Sequence, residues 1–407
     1  MRRHELAATI AACVLLSYGE RAAALSDDRI KLTAGESVTH DDNVFRLPSG
    51  TNPITALGTS DTSDTYHTTS LGLAFDVPTG AQRYRGELGF DRHQFGRFSA
   101  LDLDGHRTAF DWLFNDEQRV SANVGHAESR RLASLSNIQS GTQSTVPNLI
   151  DFEQTYIHAN FAVRPQWHLG AEISRSAQEN SAPLYAVSDL EARMARLELA
   201  YVTPAETRVG IGTRRIAADL PNRQLIGARL VDNSYDQRQT EAFIEWQTSP
   251  HSRLDARAGW VERTHAELGN RDYDNRTWRI SHSWQPIDLL TLTGLARHDI
   301  SSTEEINVGF VLIESLEIQA RWVPTERVDL TFAAGRGKRE YRGDPMVALG
   351  LAPQTKERVI QTAVGAIVKV TRIVTLDCNW QLERRTSNIA AGNYRVGTTG
   401  VGVRVSF

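Results

Sequence analysis

Leu376-Asp377-Cys378-Asn379-Trp380-Gln381-Leu382-Glu383 exchanges apolar and polar side chains at every step. Successive side chains of a strand point to opposite sides, so Leu376, Cys378, Trp380 and Leu382 share one face and Asp377, Asn379, Gln381 and Glu383 the other. A helix would scatter both sets around its circumference. The same alternation sets Leu254, Ala256, Ala258 and Trp260 against Asp255, Arg257 and Gly259. It sets Trp278, Ile280, His282 and Trp284 against Thr277, Arg279, Ser281 and Ser283, and Trp167, Leu169, Ala171 and Ile173 against His168, Gly170, Glu172 and Ser174. From residue 25 onward the chain reads as one strand after another, in segments of about ten positions, the length of a tilted strand that spans a bilayer.

A soluble sandwich alternates in the same way, so the connections decide between architectures. Short turns recur at Pro78-Thr79-Gly80, Asn115-Asp116-Glu117, Arg164-Pro165-Gln166, Pro204-Ala205-Glu206, Pro250-His251-Ser252, Pro286-Ile287-Asp288, Pro324-Thr325-Glu326 and near Thr371-Arg372. Between them fall longer, more polar connections at 41–66, 131–150, 178–188, 218–234 and 341–356, with briefer ones near 95–99, 266–271, 301–306 and 388–393. Short and long alternate, as in an antiparallel up-and-down barrel of the bacterial outer membrane, with tight periplasmic turns and larger outer loops. The segments predict an all-β transmembrane barrel of about 18 strands (16–18), an even number with both ends on the short-turn side.

Charge placement agrees. The apolar faces carry few charges near their middles, while the opposite faces hold Glu87, Asp111, Arg196, Glu198, Arg208, Asp255, Arg257, Arg279, Glu317, Arg321, Asp377 and Arg404. In a wide barrel that polar face looks into a wet lumen and the apolar face meets lipid. Arg196, Glu198, Arg208, Asp255, Arg257, Arg279, Glu317 and Arg321 are therefore the candidate lumen-lining residues. Phe75, Trp112, Phe114, Trp167, Tyr201, Trp246, Trp284 and Trp322 stand beside the short turns, where an interfacial aromatic girdle belongs.

The first stretch carries Arg2 and Arg3, an apolar core from Leu6 to Leu16, and Ala22-Ala23-Ala24, which together fit a cleaved signal peptide over 1–24 ahead of a barrel at 25–407. Removing its three basic and two acidic residues from the formal charge of −4 leaves −5. This near-balance of signs argues against a nucleic-acid binder. Ile10-Ala11-Ala12-Cys13 has the outline of a lipoprotein box, but the apolar run continues through Leu16, which favours signal peptidase I. Only Cys378 of the 2 cysteines lies beyond the leader, so no intrachain disulfide is expected.

Chemistry-bearing motifs are few. His282 sits on the lipid-side face, like a phospholipase site, yet reads as an interfacial histidine because no Ser and acidic partner share its register. Gly335-Arg336-Gly337-Lys338 lacks the spacing and following hydroxyl of a phosphate loop. His40-Asp41-Asp42-Asn43 has oxygen ligands for calcium, but an Asp-Asn run in a loop is the chemistry of turns. The histidines beyond the leader show no metal-binding spacing. No catalytic residue, metal or cofactor is expected, and the chain is not read as an enzyme.

The run 400–407 ends Val401, Val403, Val405, Phe407 on one face, an alternating strand closing on an aromatic residue, like the signal read by the barrel assembly machinery. Residues 30–47, above all Asp42-Asn43-Val44-Phe45-Arg46-Leu47, together with Leu101-Asp102-Leu103-Asp104-Gly105-His106-Arg107, resemble the EpsL-type outer-membrane proteins of exopolysaccharide operons. These form a branch of the beta-barrel porin 2 group often associated with exosortase systems. The resemblance implies a part in exopolysaccharide biosynthesis or export across the outer membrane, as a passive conduit, with an extracellular polysaccharide and its export complex as partners beside outer-membrane lipid. The mixed signs of the lumen candidates point to a neutral or weakly charged polymer. The alternatives are a general diffusion porin and a non-conducting barrel that anchors the export machinery.

Overall fold

The computed structural model describes residues 29–116, 119–133, 147–226, 228–301, 310–344, 347, 350 and 353–407. The expected leader, with its Cys13 box, lies outside them.

Alternating segments become strands wherever a turn lets the chain reverse. The first half supplies β1 (Ile30–Asp41), β2 (Asp64–Thr79), β3 (Gln82–Phe95), β4 (Leu103–Asn115), β5 (Val120–Leu132), β6 (Leu149–Arg164), β7 (Trp167–Asn180), β8 (Leu190–Val202) and β9 (Arg208–Asp219). After the short strands β10 (Gln224–Ile226) and β11 (Arg229–Val231) follow β12 (Tyr235–Ser249), β13 (Ser252–His265), β14 (Tyr273–Ile287), β15 (Leu290–Ser301), β16 (Phe310–Thr325), β17 (Val328–Arg342), β18 (Lys356–Lys369), β19 (Val374–Ser387) and β20 (Tyr394–Ser406). Each long strand pairs antiparallel with its neighbours, and β1 pairs with β20 from Thr33↔Ser406 to Asp41↔Thr398, closing an 18-stranded barrel. Closure leaves no free strand edge, which is what allows a sheet to cross a bilayer. The expected strand number holds, with all eight short turns falling between paired strands. β10 and β11 form a separate hairpin in the loop between β9 and β12.

The large exposed apolar side chains lie on one parity of each strand: Leu71, Leu88, Phe90, Ile157, Leu197, Ile211, Ile280, Ile318 and Trp380 are all exposed. The girdle residues share that outward parity, and Trp167 stacks edge-on with Tyr201 across β7 and β8 at 5.2 Å. The opposite parity is inward. Three contacts require this, because each skips at least one intervening strand: Tyr156 of β6 donates to Asp111 of β4, Arg196 of β8 meets Glu241 of β12, and Arg257 of β13 meets Glu198 of β8. Neighbouring strands are about 4.8 Å apart, so such side chains meet only on the concave side of a curved sheet. An apolar outer band around a polar interior makes this an outer-membrane barrel.

The strands outrun the apolar band. On β16 the outward series Trp322, Ala320, Ile318, Leu316 gives way to Glu314, and on β17 Leu330, Phe332, Ala334 gives way to Arg336 and Lys338. This charged crown lies on the long-loop side.

Under the longest loop, Val44, Phe45 and Leu47 pack with Leu101 from the β3–β4 connection and against Leu57 of a one-turn helix, α1 (Pro53–Leu57). Arg46 adopts a left-handed φ of 55° and bonds Asp41 at 2.8 Å, while Asn43 exchanges hydrogen bonds with the backbone of Leu47. The loop ends of the stretches that carry the resemblance, Val44, Phe45, Leu47 and Leu101, thus form one small packed unit, while most of the remainder lies in β1 and β4. The Asp41 carboxylate is held by Arg46 and the Asn43 N–H, and Asp42 accepts from Gly397, so these oxygens serve turn chemistry.

Candidate functional site: the barrel lumen

The densest inward group lies where β8, β9, β12 and β13 run side by side. Glu198 is almost completely buried, and three guanidinium groups converge on it: Arg196 at 2.5 Å, Arg257 at 2.9 Å and Arg208 at 3.5 Å. Glu241 accepts from Arg196 at 2.6 Å and from Arg257 at 2.9 Å, and Glu245 from Arg208 at 3.1 Å. Phe243, between the two glutamates on the same face, lies under the Arg208 and Arg257 guanidiniums at 5.1 and 4.7 Å. Charge-assisted bonds of this kind are the strong ones, and the ring adds cation–π attraction.

Two glycines of β9 make the space. A Cβ on Gly210 would come within 2.3 Å of the Leu199 carbonyl and 2.6 Å of the Phe243 ring, and one on Gly212 within 3.3 Å of the Glu198 side chain. Side chains there would displace the ring and the carboxylate that hold the arginines.

The candidates read from sequence fall around this network. Arg196, Glu198, Arg208 and Arg257 belong to it, while Asp255 sits on the same face nearer the short turn, 3.0 Å from Arg253. Arg279 stands directly across from Arg257 on one side and from Arg297 on the other, giving three inward arginines in a row over β13, β14 and β15. Glu317 lies 3.9 Å from Arg297, and Arg321 bonds Asp329 at 2.5 Å. Val401, Val403 and Phe407 stand exposed on the outer face, beside the barrel seam. Sequence reading did not single out Glu241, Glu245, Phe243 or Arg297. Nor did it find a second inward group nearer the long loops, where Tyr341 donates to Glu357 at 2.8 Å, Arg385 lies 3.4 Å from the same carboxylate, and Tyr394 and Gln361 donate to Glu383. The period-two parity that places Asp377 inward also places these residues inward.

At the mouth, Arg271 in the β13–β14 loop is buried and ties three loops together. It donates to the Gly343 carbonyl at 2.7 Å, to Asn233 at 2.5 Å and to Gln224 at 3.0 Å. Burial pushes this guanidinium down to about 10, so it stays charged at neutral pH. Asp232 nearby is held below the usual carboxylate range by hydrogen bonds from the Ser234 hydroxyl and N–H.

One expectation is corrected. Ser252 does reach His282, with its hydroxyl 2.9 Å from the ring Nε2, because the β13–β14 register places Ser252 opposite Trp284 and diagonal to the histidine. Among the described residues no carboxylate pairs with this imidazole, so the pair has no acidic orienting group. Gly335-Arg336-Gly337-Lys338 runs within strand β17 and forms no loop.

A protein-family model described as "Putative beta-barrel porin 2" matches residues 234–407. This span leaves out residues 30–47 and 101–107. No curated protein sequence matches the chain. Among solved structures, OccK2 (OpdF) from Pseudomonas aeruginosa is 12% identical, with 94% of this chain and 98% of that one covered and a TM-score of 0.49. A BenF-like porin from Pseudomonas fluorescens Pf-5 is 13% identical over 94% and 100% of the two chains, TM-score 0.49. The siderophore receptor PirA from Pseudomonas aeruginosa is 10% identical over 92% and 80%, TM-score 0.42.

Proposed function

We propose that this barrel is a passive pore for small hydrophilic solutes, narrowed by the network of Arg196, Glu198, Arg208, Glu241, Glu245 and Arg257. That network is the observation that carries the reading, because bonds skipping one or two strands bring charged side chains of both signs off the wall and into the lumen. Opposed charges set across a narrow passage favour dipolar and hydrogen-bonding solutes over apolar ones. The strand number supports a wet interior, since barrels of 16–18 strands leave an aqueous channel. The description of the family model over 234–407 names the same class.

Export of a polysaccharide, the leading expectation from the sequence resemblance, rests at residue level on 30–47 and 101–107, and the packed loop unit gives Val44, Phe45, Leu47 and Leu101 a structural task. Diffusion is therefore preferred. Uptake into liposomes carrying the purified barrel tests the choice. Monosaccharides and small zwitterions should enter at rates that fall steeply with solute size. Folded barrels that admit no solute would overturn the proposal, as would barrels that pass long oligosaccharides as readily as monosaccharides.

A further inference from the structure

The charged crown is not uniform around the barrel. On strands β4 to β9 the outward face mixes both signs, with more acids than bases: Arg130 bonds Asp151 at 2.7 Å, Arg175 bonds Glu191 at 3.0 Å and Arg215 of β9 bonds Asp236 of the adjoining β12 at 3.1 Å, while Glu128 stands opposite Glu153 and Arg175 opposite Arg193. On β17 to β20 the outward parity carries Arg336, Lys338, Arg342, Lys356, Arg358, Arg384 and Arg395, against Glu340 as the sole acidic residue of those strands' outward face. Glu340 takes Arg342 at 2.8 Å and Lys356 at 3.7 Å, and Glu314 of β16 takes Lys338 at 3.5 Å. Arg336, Arg358, Arg384 and Arg395 are exposed and pair with no acidic side chain among the described residues.

The register makes the arrangement costly to the isolated sheet. Lys338 stands directly opposite Arg358, and Arg384 directly opposite Arg395. Like charges at directly opposed positions destabilise a sheet. Arg336, Ile360, Arg384 and Arg395 form one row across four strands, with Lys338 and Arg358 in the next row toward the loops. Strand spacing makes the patch about 15 Å wide and about 7 Å tall. Below them, past a row of Ala334, Thr362 and Leu382, lie Phe332, Val364 and Trp380, exposed in the lipid-facing band.

We infer that β17 to β20 hold a binding site for a phosphorylated glycolipid of the outer leaflet. Several cations spaced over about 15 Å match an anionic headgroup with more than one phosphate, and the apolar floor below matches its acyl chains. The long loops place this crown on the outer side of the membrane, where such a lipid faces it. Arginine suits phosphate by its forked, always charged donors, and four of the seven cations are arginines without an acidic partner.

Native mass spectrometry of the detergent-folded barrel with added bis-phosphorylated lipid A provides the test. Wild type should retain the lipid, whereas Arg336→Gln/Arg358→Gln/Arg384→Gln should lose affinity on the order of ten-fold or more, with heat-modifiable migration on gels preserved. Glu314→Gln/Glu340→Gln should bind more tightly, a gain that misfolding would not produce. Arg130→Gln/Arg175→Gln, on the mixed-charge side of β4 to β9, should bind as wild type. Equal lipid retention by the triple variant overturns the assignment. So does equal binding of dephosphorylated lipid A or of phosphatidylglycerol, which would mark the patch as a general attraction of charge to membrane.

Discussion

Single positions in the lumen have measurable consequences because so little free space surrounds them. Gly210→Ala would press a methyl against the Leu199 carbonyl and the Phe243 ring and should cost about 1–3 kcal/mol in urea unfolding of the folded barrel. Gly212→Ala, whose neighbour is the flexible Glu198 stem, should cost less. Arg257→Gln removes a partner shared by Glu198, Glu241 and Glu245 and should shift ion selectivity of the reconstituted pore toward cations, at about 1–3 kcal/mol in stability. Asp232 links a loop to pH. Its carboxyl is depressed by Ser234, so its contribution is complete above the ordinary carboxylate range and is lost as pH falls through its lowered value. Hydrogen exchange of the 219–234 loop should quicken under acid in wild type, and that acid-dependent increment should be absent in Asp232→Asn. Much at this scale was legible. Period two alone places Arg196, Glu198, Arg208 and Arg257 on one face. Glu241 and Glu245 were harder to see, because β12 carries Asp236 and Arg238 on its outer face above the apolar band, so both faces of its first half read as polar. That Arg257 reaches Glu198 across two intervening strands depends on sheet curvature, to which sequence spacing gives no guide.

Elements were fixed by their punctuation. Pro165, Pro204, Pro250, Pro286 and Pro324 mark short turns because proline cannot donate to a ladder and presets a turn dihedral. Strand number followed from counting the alternating segments that such turns separate. The hairpin of β10 and β11 carried no comparable signal, as two three-residue strands are too short to show a period. Its position depends on Arg271, whose guanidinium joins it to two other loops. Arg271→Ala leaves the Asn233 and Gln224 side chains and the Gly343 carbonyl without this donor, and limited proteolysis should cut 220–234 faster while the strands stay protected. Unchanged cleavage would mean that the hairpin is held by other contacts. The seam between β1 and β20 is a second dependent element. Phe407 exchanges backbone hydrogen bonds with Leu32 at 2.9 and 3.0 Å, so deleting it removes two closing bonds along with an exposed aromatic side chain. The yield of folded barrel should fall; an unaltered yield would show that the last closing pair contributes nothing to assembly.

For the whole molecule, closure, an apolar belt and a charged interior follow from one alternation repeated through 18 strands. The belt was legible because a lipid-facing surface excludes charge at its middle; the crown above it was not, since strands longer than the bilayer needs look the same in sequence as strands that end at its surface. The central claim is that the lumen conducts. Purified barrel, verified as folded by its faster migration before boiling, should give stepwise ohmic openings in a planar bilayer bathed in potassium chloride, with no polymer present. Arg257→Glu/Arg279→Glu should move the reversal potential in a salt gradient toward cation preference. Folded protein that inserts and never conducts would contradict the pore and favour a barrel that acts as an anchor.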